Sequence, residues 1–273
     1  MSKPGARQLG WLPHSLLPPG PKNGLTDVPG VWVGHTTLIL GEAGPLEIGR
    51  GPVRTGVTAI RPHPGNLFID RVAAGVHILN GFGKTVGLEQ VRELGIQETP
   101  IVLTNTLNVW RCAEALVDWM LLENPGIGVK TGTINPVVGE CNDGWLNDIR
   151  GRHVRPEYVF AALDNAQDGP IPEGCVGAGT GTLCYQFKAG IGSASRVLPA
   201  KNGGYTVGVL IQTNFGTREQ LIIRGHPVGQ WLKNWPDSPP GNARDDVGDI
   251  NGEDGSCMMV IGTDAPLSSR QLD

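Results

Sequence analysis

Thr206-Val207-Gly208-Val209-Leu210-Ile211-Gln212 reads as a β-strand that is apolar on both faces. A strand with one wet face alternates apolar and polar residues, whereas one that is apolar on both faces is covered on both sides. The chain must therefore fold in layers, with a sheet inside. Val31-Trp32-Val33-Gly34-His35, Gly56-Val57-Thr58-Ala59-Ile60 and Pro100-Ile101-Val102-Leu103-Thr104 also read as strands. Gln220-Leu221-Ile222-Ile223-Arg224 and Cys257-Met258-Met259-Val260-Ile261 are shorter candidates. Two segments have helical spacing. Trp110 to Asn124 places Ala113, Leu116, Val117, Met120 and Leu121 on one stripe and stops at Pro125-Gly126. Pro156 to Gln167 does the same with Val159, Phe160, Leu163 and Ala166, with Gly169 just past its end. Strands alternating with helices predict an α/β layered domain. The 41 glycines and 22 prolines predict tight turns and short elements, not a helical bundle.

A chain of 273 residues with 39% hydrophobic and 18% charged content can bury a sizeable core. The net charge of −4 gives no electrostatic case for nucleic acid or an anionic membrane as partner. Five scattered cysteines without a C-x-x-C read as free thiols in a reducing compartment. The first residues lack the apolar stretch of a signal peptide, and no run is long enough to span a membrane. A cytoplasmic location is expected. Residues 1–30, rich in proline and glycine, read as an extended arm, and residues 233–255 as an exposed linker without periodicity.

That linker ends at Gly255-Ser256-Cys257, where a polar, glycine-rich stretch meets an apolar run. Two readings compete there. Gly-Ser before a strand is common turn chemistry, and the local residues by themselves favour this plainer reading. The same pattern fits a self-cleaving hydrolase, in which the Gly255-Ser256 bond is cut and Ser256 becomes a new N-terminus. Such a serine carries a nucleophile on its side chain and a base on its own α-amine, whose pKa is about 7.7–8.0.

Other routes to catalysis fail on inspection. Gly81-Phe82-Gly83-Lys84-Thr85 ends like a phosphate-binding loop, but Ile78 stands where the pattern needs a glycine. Gly177-Ala178-Gly179-Thr180-Gly181 lacks dinucleotide-binding spacing. Neither Ser193 nor Ser195 sits in a G-x-S-x-G elbow. The six histidines form no H-E-x-x-H and no Cys/His cluster, so a metal is not expected, with a carboxylate-only site left open by spacing.

Gly255-Ser256-Cys257-Met258-Met259-Val260-Ile261-Gly262-Thr263-Asp264-Ala265-Pro266-Leu267 resembles the cleavage region of the L-aminopeptidase/D-amidase-esterase family, which includes the β-aminopeptidases. Matching segments are Asn23 to Val31, Asn80-Gly81-Phe82-Gly83-Lys84, Leu103-Thr104-Asn105-Thr106, Val138-Gly139-Glu140, Asn142-Asp143-Gly144, Leu146-Asn147-Asp148, Gly190 to Arg196 and Thr213-Asn214-Phe215-Gly216. They run in order through nearly all of residues 23–268. The resemblance implies a four-layer αββα sandwich like that of N-terminal nucleophile hydrolases, with its own connectivity. It implies self-cleavage into a larger α chain, here 31–255 after the arm, and a smaller β chain beginning at 256–273. It implies removal of N-terminal residues from small peptides and hydrolysis of amino acid amides and esters, without cofactor, by a homo-oligomer of α/β pairs. Ser256 would be the nucleophile and Asn214 a donor to the oxyanion. From the residues alone, Asn214 reads as a turn residue closing a buried strand.

Two departures stand out. Where the family has a tyrosine whose hydroxyl assists the oxyanion, this chain has Trp145, whose indole N–H donates but cannot act as an acid-base hydroxyl. Trp145 reads at least as well as plain substrate-pocket lining or core as it does in an active role. The family's β chain also continues for about a hundred residues, the length of a small domain. That part carries a serine and a glutamate that activate the nucleophile, and several core strands. The chain ends at Asp273. The fold is therefore expected to be incomplete at the C-terminus, and Ser268 and Ser269 read as a polar tail. Two alternatives stay open: an inactive member that only binds or assembles, and an acyltransferase of the ornithine acetyltransferase type.

Overall fold

The computed structural model describes residues 9–10, 17–233 and 255–273. Seven strands carry the architecture: β1 (Trp32–Leu40), β2 (Val53–Arg61), β3 (Ile101–Asn105), β4 (Val137–Cys141), β5 (Ile191–Val197), β6 (Thr206–Asn214) and β7 (Ser256–Thr263). Helices α1 (Leu88–Leu94), α2 (Val109–Glu123) and α3 (Pro156–Asp164) complete it. The first sheet has the order β1-β2-β3-β4 and the second the order β7-β6-β5. β3 and β4 run parallel, pairing Thr104 with Glu140, and α2 lies in the crossover between them. The other pairings in these two sheets are antiparallel.

The side-chain alternation of the strands makes two cores. On one face of the first sheet, Val57, Ala59, Val102 and Val138 pack against Cys112, Leu116, Val159 and Leu163 of α2 and α3. On the other face, Ile60 and Leu103 meet Ile191 and Leu210 of the second sheet, with Met258 and Val260 of β7 against them. The described residues thus form helices on a sheet on a sheet. On the outer face of the second sheet, Cys257, Met259 and Ile261 are exposed and Val207, Val209 and Ile211 are half-buried. The full cover expected for both faces of β6 is thus present on its inner face only, among the described residues.

The predicted helices lie within a few residues of their expected bounds, and the four longer predicted strands form, three of them extended at one or both ends. Gln220 to Arg224 is a correction. Thr217 and Gln220 form a capping box around a 3-10 turn at Arg218–Gln220, and Ile223 pairs only with His226. Among the described residues, the apolar run there has no strand beside it to complete a ladder. The end of the expected arm is also corrected. Leu25–Asp27 is a 3-10 turn, and Leu25 and Val28 are buried between the sheets. Ser268, expected in a polar tail, caps the short helix Ser269–Leu272 through a capping box with Gln271. The linker expected at 233–255 lies outside the described residues except for Lys233 and Gly255. No helix among the described residues is long and apolar enough to cross a membrane.

Candidate active site

Ser256 is the first residue of β7 and stands opposite Asn214, the last residue of β6, in antiparallel register. The apolar alternation of Met258 and Val260 fixes that register, because a slip of one residue would turn both out of the core. Asn214 Nδ2 donates to Ser256 Oγ at 3.4 Å. The other end of the amide is held, since Asn214 Oδ1 accepts the N–H of Leu183 at 3.3 Å. With the oxygen so engaged, the NH2 group faces the hydroxyl.

A second donor comes from the end of β4. The main-chain N–H of Asn142 donates to Ser256 Oγ at 3.3 Å. The segment that presents it is pinned by the carboxylates and amides of the 142–148 motif. Asp143 is fully buried and accepts from Asn105 Nδ2 and Asn147 Nδ2, both at 3.0 Å. Asn147 Oδ1 accepts the N–H of Arg54, and Asp148 Oδ2 accepts the N–H of Gly49 and lies 2.8 Å from His153 Nε2. The Asn142-Asp143-Gly144 and Leu146-Asn147-Asp148 residues thus build the turn that aims one main-chain N–H. Glu140, buried just before it, accepts from the Thr106 hydroxyl and from the N–H of Lys84, joining the Asn80–Lys84 segment to β4.

The cysteines beside the serine are poor rivals to it. Burial pushes the Cys141 thiol up to about 12 even though it bonds Ser256, and burial also raises Cys257. A thiol is a nucleophile only as thiolate, so both are inert near neutrality. Ser256 Oγ therefore has two N–H donors and a neutral thiol as its partners among the described residues. No ionisable side-chain base is among them. Trp145 follows in the same turn, half-buried, and makes no hydrogen bond to Ser256. The structure brings Gly255, Ser256 and Asn214 together as neighbours and adds Asn142, which the sequence reading did not single out. A main-chain donor has no residue-type signal; only the chain path that carries it reveals it.

Residues 23–273 of the chain match a known family of peptidases. The chain belongs to peptidase family S58. It is 44% identical over 275 residues to a β-peptidyl aminopeptidase, BapA, of Sphingosinicella xenopeptidilytica, a match that covers 100% of this chain and 67% of that protein. Among solved structures, the PH0078 protein of Pyrococcus horikoshii OT3 superposes with a TM-score of 0.88 at 51% identity, covering 98% of this chain and 70% of that one. The L-aminopeptidase D-Ala-esterase/amidase of Ochrobactrum anthropi, described as a variant of the Ntn hydrolase fold, superposes with a TM-score of 0.83 at 38% identity over 99% of this chain and 70% of that one. The S58 chain accordingly has an α/β fold of the Ntn-hydrolase kind, and it is a hydrolase of the aminopeptidase class.

Proposed function

We propose that this S58 chain cuts itself between Gly255 and Ser256 and then acts as an aminopeptidase through the freed Ser256. The observation that carries this reading is the pair of N–H donors on Ser256 Oγ, from Asn214 and Asn142, in a site where no side-chain base among the described residues bonds the hydroxyl. Cleavage supplies such a serine with its own α-amine, whose pKa of about 7.7–8.0 leaves part of it free near neutrality.

In the first stage the Ser256 hydroxyl adds to the Gly255 carbonyl carbon, its proton passes to the Ser256 nitrogen, and the C–N bond breaks to leave a free α-amine. The acyl group moves from nitrogen to oxygen, and water hydrolyses the resulting ester. In the second, the Ser256 α-amine takes the hydroxyl proton as Oγ adds to a substrate carbonyl. The proton passes to the departing amine, an acyl-enzyme remains, and water releases it. Asn214 and Asn142 donate to the carbonyl oxygen as it gains charge. Removing one such donor costs about 10²–10³ in kcat. The substrates proposed are small peptides and amino acid amides and esters. N-terminal β-amino acids fit the names of the BapA relatives. Trp145 is proposed as a wall of the substrate pocket, and assembly into a homo-oligomer is proposed from the bare outer face of the second sheet.

Intact mass and N-terminal sequencing test the reading. The expected result is two pieces, the second starting Ser-Cys-Met-Met, with a single uncut chain for Ser256→Ala. Hydrolysis of aminoacyl p-nitroanilides should vanish in Ser256→Ala and fall about 10²–10³-fold in Asn214→Ala. Cleavage that persists in Ser256→Ala, or a wild-type chain that stays uncut, overturns it. An uncut, inactive wild type would instead favour a role in binding or assembly.

A further inference from the structure

Asn105, the last residue of β3, holds the segment after β4 at two points. Its main chain stands opposite Cys141 in the parallel ladder of β3 and β4. Its side chain reaches past the end of that ladder, and Asn105 Nδ2 donates to Asp143 Oδ2 at 3.0 Å. Between Cys141 and Asp143 lies Asn142, whose main-chain N–H donates to Ser256 Oγ. Both chain neighbours of Asn142 are thus tied to one residue of the adjoining strand.

The Asn105 amide is oriented from its other end. Oδ1 accepts the main-chain N–H of Asn108 at 3.1 Å and Asn108 Nδ2 at 2.9 Å, which turns the NH2 group towards Asp143. Both N–H bonds of that group are used, one on Asp143 and one on the Thr55 hydroxyl at 2.9 Å. The Thr55 hydroxyl donates to Asp143 in turn, and Asn147 Nδ2 donates at 3.0 Å to the other carboxylate oxygen. Asn105, Thr55 and Asp143 are all fully buried. No water replaces a lost partner in such a hub, so its members hold one another's positions.

This inference rests on the role proposed above for Ser256. We infer that Asn105 is a positioning residue for that serine. It fixes Cys141 through the ladder and Asp143 through its amide, and so sets where the Asn142 N–H points. Asn105 makes no hydrogen bond to Ser256 itself and acts through Asp143 and Asn142. Its side chain has a second task, as the N-cap of the 3-10 turn Thr106–Asn108. The cap uses the amide oxygen and the bond to Asp143 uses the nitrogen, so substitution can separate the two.

The test measures self-cleavage and the hydrolysis of aminoacyl p-nitroanilides in the full chain and its variants. Asn105→Ser keeps an oxygen for the Asn108 N–H, since serine is a good N-cap, but is too short to reach Asp143. Its kcat and its rate of self-cleavage should fall by up to about a hundredfold, the cost of a misplaced catalytic group, with KM unchanged. Asn105→Asp sets two carboxylates face to face, and Asp143→Asn leaves the hub with too few acceptors, so each should also be slow. The double variant Asn105→Asp/Asp143→Asn reverses donor and acceptor and restores the bond. It should recover most of both rates, which a general loss of packing would not do. Wild-type kcat in Asn105→Ser overturns the inference, as does a double variant no faster than either single one. If Asn105→Ser fails to fold, the double variant against its singles decides. Those results leave the role of Ser256 standing. A wild type that neither cuts itself nor turns over substrate overturns both.

Discussion

His35 of β1 faces Thr58 across the pair β1–β2, with Nδ1 2.9 Å from the Thr58 hydroxyl and no partner for Nε2 among the described residues. Burial lowers its pKa to about 4. Asp143, behind the candidate nucleophile, is raised to about 6 by desolvation, against the hydrogen bonds it accepts. The two act oppositely on stability. His35 binds its proton less readily in the folded chain, so its contribution is lost as pH falls from about 6.5 towards 4. Asp143 binds its proton more readily when folded, so its contribution is present below about 4 and lost as pH rises to about 6, on the order of 3 kcal/mol in all. Wild-type urea midpoints should therefore change little between pH 4 and 6 on account of this pair. His35→Gln should gain stability over the wild type on acidification across that window, and Asp143→Asn should lose it. At this scale the sequence was uneven in what it disclosed. Ser256 and Asn214 were legible because their residue types carry chemistry and their motifs are distinctive. Asn142 was not, because what it offers is a main-chain N–H. Asp143 stood in a quoted motif beside its partner Asn147, but its other amide partner, Asn105, comes from a separate part of the chain that only the fold brings to it.

At the scale of elements, α3 sits against β1 at one glycine. A Cβ on Gly34 would overlap the carbonyl oxygen of Ala162 and crowd the main chain of Ala166. The helix can rest on the first sheet only because that position has no side chain. Gly34→Ala should cost at least about 1–3 kcal/mol in urea unfolding, the cost of overpacking a close contact. Helices α2 and α3 were readable from their apolar stripes and from the proline and glycine at their ends. Strands β4 and β5 were present in the sequence only as motif fragments. Gly139, Glu140, Ser193 and Ser195 interrupt their apolar pattern, so period-2 reading finds little there. Gln220 to Arg224 shows the converse, an apolar run that local capping turns away from a strand.

At the scale of the molecule, the layered design was implicit in a single strand apolar on both faces, whereas the order of the strands was not. Antiparallel pairing of β7 with β6 joins residues far apart in sequence, and a sheet order follows from such long-range contacts, not from local pattern. That pairing has a consequence for maturation. While the chain is intact, the segment from Gly216 to Gly255 tethers β7 beside β6 and keeps their pairing intramolecular. Once the bond before Ser256 is cut, nothing covalent holds the strand, and a fold governed by one chain becomes a complex governed by mass action. The melting temperature of the cut protein should then fall on dilution, while that of uncut Ser256→Ala stays independent of concentration. The same bond that frees the α-amine would thus make the product sensitive to how much of it is present.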